Sequence, residues 1–174
     1  MSTSWPDRSI GAVSRAAMIV GRNATLTHFD VVLAKGVWKS ESVPLLAGTG
    51  ATATGLGLAM PGPRGSADLR FVEDHAAPDS TSRVTYRAVA GGRGRAVFTG
   101  LLRIREDAVR AEAYEEARGL LLSSSAHADV LPELEILNHD VRCSHGAAVG
   151  PVDEDALFYL TSRGLDRTEA EALL

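Results

Sequence analysis

Cysteine is almost missing from this sequence. Its 174 residues carry one, Cys143, which excludes an internal disulfide and fits a reducing cytoplasm. Aromatic residues are also scarce, at 5%, whereas there are 17 glycines. That mixture favours many short strands and turns over a helical bundle. A basic excess is lacking too. The formal charge of -4 gives little electrostatic reason to expect nucleic acid or an anionic membrane as partner. No apolar run approaches the ~18 residues of a membrane span. The polar start, Met1-Ser-Thr-Ser-Trp-Pro-Asp-Arg8, has no apolar h-region, so no signal peptide is expected. What is present is a 45% hydrophobic content, enough for one folded domain with a sizeable core.

From about Ser14 to Val149 the chain reads as short alternating segments broken by turns. Ala24–Leu33, Arg83–Val89 and Ala96–Arg105 alternate apolar with polar residues, and Leu134–Ile136 and Val141–Cys143 are shorter examples. This period of two puts one set of side chains inside and the other in water. Gly48-Thr-Gly50 and Gly91-Gly-Arg-Gly94 punctuate turns, and Met60–Ala67 is expected as a loop between strands. A faint repeat places a turn or polar residue before an alanine that opens an apolar stretch, at Asn23-Ala24, Gly50-Ala51, Arg95-Ala96, Asp107-Ala108 and His127-Ala128. Its spacing is irregular, so pattern alone leaves a β-solenoid and a β-sandwich both open. After Gly150 the texture turns helical. Asp153 is placed to cap one helix that ends near Arg163-Gly164, and Asp166-Arg-Thr-Glu169 resembles the capping box of a second.

Cys143 and His145 are two residues apart, so on a strand they share a face. A thiolate beside an imidazole suits iron–sulfur species, zinc or copper. The alternative is a small core residue next to a hydrogen-bonded histidine. Clusters take about four protein ligands, mostly cysteine. With one cysteine here, any cluster ligation requires further ligands from a second chain. A Cys–His nucleophile pair is disfavoured, because no helix amino terminus lies at Cys143 to lower its pKa. The glycine-rich segments match neither a P-loop nor a dinucleotide fingerprint. His28 is expected to be structural. Asp74 and His75 are expected to face opposite ways, and His127 and His139 to be solvated at turns.

Read as a line, the last third resembles the SufB/SufD family of iron–sulfur cluster assembly scaffolds. Pro132-Glu-Leu-Glu-Ile136, Asp140-Val-Arg-Cys-Ser-His-Gly-Ala-Ala-Val-Gly150 and Leu157-Phe-Tyr-Leu-Thr-Ser-Arg-Gly164 carry the resemblance, and the Cys-Ser-His-Gly form is similar to SufD. Weaker similarity extends upstream to about Leu69. Two departures stand out. Glu115-Glu-Ala-Arg-Gly119 replaces a segment that usually carries Gln and Asn, and Ala148 replaces a threonine.

The resemblance implies a right-handed parallel β-helix, with residues 1–150 a partial core and 151–174 the start of a carboxy-terminal helical region. Because family members are longer, it also implies a chain cut short, prone to self-association. It implies a non-catalytic, cytoplasmic scaffold that pairs with a SufB-like subunit and docks a SufC-like ATPase. In that scaffold His145, supported by Cys143, would bind iron or a nascent iron–sulfur cluster at the shared interface.

Overall fold

A computed structural model describes residues 11–174, apart from the side chain of Ala34. The reading of Met1–Arg8 lies outside the described residues. Ten strands of ten residues each are followed by two short helices. The strands are β1 (Gly11–Val20), β2 (Thr25–Ala34), β3 (Val37–Leu46), β4 (Thr52–Pro61), β5 (Ser66–His75), β6 (Thr81–Ala90), β7 (Arg95–Ile104), β8 (Glu112–Leu121), β9 (His127–Ile136) and β10 (Arg142–Pro151). The helices are α1 (Glu154–Ser162) and α2 (Arg167–Leu173).

No strand pairs with its neighbour in the chain. Odd strands form one sheet, β1-β3-β5-β7-β9, and even strands the other, β10-β8-β6-β4-β2. Every pairing is parallel, for example Val37 with Ser66 and Ser66 with Arg95. This is a solenoid of about five coils, each contributing one strand to each sheet. It excludes the sandwich, whose strands pair mostly as antiparallel neighbours.

Alternation follows from this geometry. Along β6 and β7 every second residue is buried, because one face of each sheet looks across the interior at the other. The interior is narrow and filled largely by alanines such as Ala53, Ala67, Ala88, Ala96, Ala113 and Ala117. Three of the nine aromatic residues form one internal stack, joined by His28. His28 lies 6.5 Å from Phe71, Phe71 lies 5.7 Å from Tyr86, and Tyr86 lies 4.0 Å from Phe98 between ring centroids. Gly57 makes room for it, since a Cβ there would come within 2.0 Å of the Tyr86 ring.

The faint alanine repeat has a structural basis. Asn23, Gly50, Asp79 and Arg110 occupy one stacked corner, all with positive φ between 54° and 71°. Their amides donate up the stack to Thr49, Pro78, Val109 and Asp140 for Asn23, Gly50, Asp79 and Arg110 respectively. Asn23-Ala24 and Gly50-Ala51 belong to this corner, whereas Arg95-Ala96 and His127-Ala128 open strands of the other sheet. Mixing two corners made the spacing irregular. The Met60–Ala67 stretch is only partly loop. β4 runs to Pro61 and β5 starts at Ser66, leaving a turn closed by the Gly65 amide on the Gly62 carbonyl. Pro61 is tolerated as the last residue of its strand.

Both helix caps form as their residue types dictate. Asp153 Oδ1 accepts from the amides of Asp155 and Ala156. Asp166 and Glu169 close a reciprocal capping box. The helices seal a small core of Val152, Leu157 and Ala170 against Leu120, leaving Phe158 and Tyr159 exposed.

Candidate functional site

β10 is the last strand of the even sheet and pairs with β8 alone. Its outer edge has no strand partner among the described residues. Register places Cys143 over Ala113, His145 over Glu115 and Ala147 over Ala117. Ala113, Glu115 and Ala117 are all buried, so Cys143 and His145 lie on the interior-facing side, over the open last coil. The same-face expectation from sequence is met. Cys143 is half-buried and packs against the main core. Burial pushes its thiol up, only partly opposed by the Ala113 amide. A protonated thiol is a poor nucleophile, which counts against the hydrolase alternative. His145 is exposed. It lines a polar cleft of about 330 Å³ together with Arg83, Tyr114, Glu115, Glu116 and Ser144.

Directly beneath His145 in register sits a group that the sequence reading passed over as a packing departure. Glu115 is buried, and neither carboxylate oxygen has a hydrogen-bond partner. Burial, and after it the negative charges of Glu73 and Glu133, pushes its carboxyl up to about 8. Glu73, on β5 in the opposite sheet, is also buried without a hydrogen bond, with His75 Nε2 3.5 Å from its Oε1. A signal for Glu115 was available. It falls between Ala113 and Ala117 on the parity that faces inward.

The remaining histidines do not join this site. His28 Nε2 lies 2.9 Å from Ser42 Oγ. His75 is fully buried and saturated by hydroxyls, with Nδ1 2.8 Å from Ser80 Oγ and Nε2 2.9 Å from Ser82 Oγ. Ser80 spends its own proton on the Ala77 carbonyl, so Nδ1–H donates to Ser80 while Nε2 faces the Ser82 hydroxyl. Asp74 faces the other way, paired with Arg105 through two hydrogen bonds. His127 and His139 are exposed. Among the described residues no three His, Cys, Asp or Glu side chains converge as a complete metal site. The Cys143–His145 pair supplies two donors, one soft and one borderline. A cluster here needs the others from outside the chain.

Comparison with known proteins agrees with the motif. Residues 3–174 match the model of the SUF system FeS cluster assembly SufBD core domain. The iron–sulfur cluster assembly protein SufD of Escherichia coli is 31% identical over 157 residues, covering 90% of this chain and 37% of that protein. An iron–sulfur cluster assembly SufBD family protein of Mycobacterium tuberculosis is 32% identical over 178 residues, covering 98% and 45% respectively. SufB of Bacillus subtilis is 26% identical over 171 residues, covering 98% and 37%. The chain thus spans less than half the length of these relatives.

Proposed function

Because the chain belongs to the SufBD core family of the SUF iron–sulfur cluster assembly system, we propose that it acts as a SufD-like scaffold subunit rather than as a catalyst. In this reading His145, supported by Cys143, offers iron or a nascent cluster one share of its ligands, and a SufB-like partner offers the rest. The observation that carries it is the position of the pair. Both side chains sit on one face of β10, whose outer edge has no strand partner among the described residues. An open strand edge is a ready surface for pairing. The SufD resemblance of Cys143-Ser-His145-Gly, and identity to a SufD protein, favour SufD over SufB.

Residues 1–150 would then form the β-helical core and residues 151–174 begin a helical region that docks a SufC-like ATPase. Exposed Phe158 and Tyr159 on α1 are suitable contacts. The cysteine usage fits the cytoplasm. None of the described helices is long and apolar enough to cross a membrane.

The test is His145→Ala in a complete SUF system with the partner scaffold and ATPase. Cluster yield, read by visible absorbance, should fall while the urea midpoint of the chain stays unchanged. A normal yield would remove His145 from the role. A normal yield with Cys143→Ser added as well would leave an interaction module only.

A further inference from the structure

Inside the solenoid four carboxylate oxygens lack any hydrogen-bond partner, two on Glu73 and two on Glu115, at 0% and 4% exposure. Leaving buried charges unpaired is costly enough that proteins pair them, protonate them or bind a cation there. Among the described residues no cation does so for Glu115, because the charges acting on it are those of Glu73 and Glu133, both negative. His75 makes no hydrogen bond to Glu73. Its Nε2 lies 3.5 Å from Glu73 Oε1 and is engaged by Ser82.

The two carboxylates approach from opposite sheets. Glu115 Oε1 occupies the space above Gly100, 1.7 Å from where a Cβ would stand. Gly100 pairs with Phe71, and Glu73 lies two residues beyond Phe71 on the same face. Two residues along and one strand over place the Gly100 and Glu73 Cα atoms about 8 Å apart, within reach of two glutamate side chains directed at each other. A third group points to the same spot independently. The Tyr86 hydroxyl is buried without a partner, and burial, then the negative charges of Asp30, Glu115 and Glu73, push it up. The Tyr86 ring is held by its stack on Phe98.

We propose that Glu73 and Glu115, with the Tyr86 hydroxyl beside them, form an internal site for one divalent cation of the oxygen-preferring class, such as Mn²⁺ or Fe²⁺. Two carboxylates supply up to four hard oxygen donors, and water completes the shell, as suits such ions. The site is distinct from the thiol–imidazole pair in both residues and ligand class, and it does not depend on the cluster-assembly reading.

The test is titration of this 174-residue chain without partners, under anaerobic conditions, with Mn²⁺ followed by electron paramagnetic resonance. One saturable site is expected. Glu73→Gln and Glu115→Gln should each weaken it by more than about tenfold, whereas the double variant Cys143→Ala/His145→Ala should retain it. Gly100→Ala keeps both charges but displaces the Glu115 carboxylate, and should also weaken binding. Thermal unfolding checks each variant's fold, and only the wild type and the double variant should gain stability from Mn²⁺. Absence of a saturable site in the wild type, or full binding in folded glutamine variants, overturns the proposal. Binding lost only in the Cys143/His145 variant assigns the ion to the strand edge instead.

Discussion

Gly57→Ala tests the interior packing most directly. The added Cβ would stand 2.0, 2.3 and 2.5 Å from Tyr86 Cε1, Cδ1 and Cζ, against the ~3.5–4.0 Å of carbon contact. The ring must retreat by about 1.5 Å to restore that separation. It cannot retreat freely, because Phe98 stacks on it at 4.0 Å and both rings are about 1% exposed. Overpacking of this kind costs about 1–3 kcal/mol. Losing the flexibility of glycine returns only about 0.5–1 kcal/mol. A net loss of about 1 kcal/mol lowers the midpoint of thermal unfolding by roughly 2–4 °C in a chain of this size. Urea unfolding should show the same loss without a change in slope. In the Tyr86→Leu background the ring is gone, so the same Gly57→Ala change should cost at least about 1 kcal/mol less. A Gly57→Ala chain as stable as wild type, or a cost indifferent to Tyr86, would refute the stacked interior.

Two further outcomes are expected. With metal removed by chelator, stability should fall as pH rises through about 8. Glu115 ionises near 4.5 when unfolded and near 8 when folded, so its contribution is full below about 4.5 and lost above 8, of order 5 kcal/mol. Urea midpoints between pH 5 and 9 should follow that fall in wild type and be flatter in Glu115→Gln; parallel profiles would contradict it. Cys143 should alkylate more slowly with iodoacetamide at pH 8 than an unfolded control, because burial raises its thiol; equal rates would deny that burial.

Legibility from sequence followed what each strand must bury. Thr81–Ala90 and Arg95–Ile104 alternate cleanly in burial, and their alternation was visible in the residues. Thr52–Pro61 was not, because its glycines look like turn residues while serving the aromatic stack. Glu112–Leu121 was hidden by charge. Glu112 and Glu116 face outward in ion pairs with Arg142 and Arg87 of adjacent coils, partners 30 and 29 residues away. No local pattern reveals such pairs. The Cys143–His145 face was legible because it needs only period two. Glu73 and Glu115 were missed because carboxylates are ordinarily exposed, and only the coil register shows them inside.

The stacked corner of left-handed residues has a consequence for how this chain tolerates length. Every strand has ten residues, but the connections leading to the even strands range from four residues, between Val20 and Thr25, to seven, between Ile104 and Glu112. Strands therefore carry the phase of the coil and corners carry its slack. A residue inserted within a strand would turn every later side chain of that strand inside out. One inserted at a corner is absorbed before the next strand begins. The phase of β10 is reset just before it, where the Arg110 amide donates to the Asp140 carbonyl. Which way Cys143 and His145 face is thus decided two residues upstream of the pair's strand, independently of how much chain precedes it.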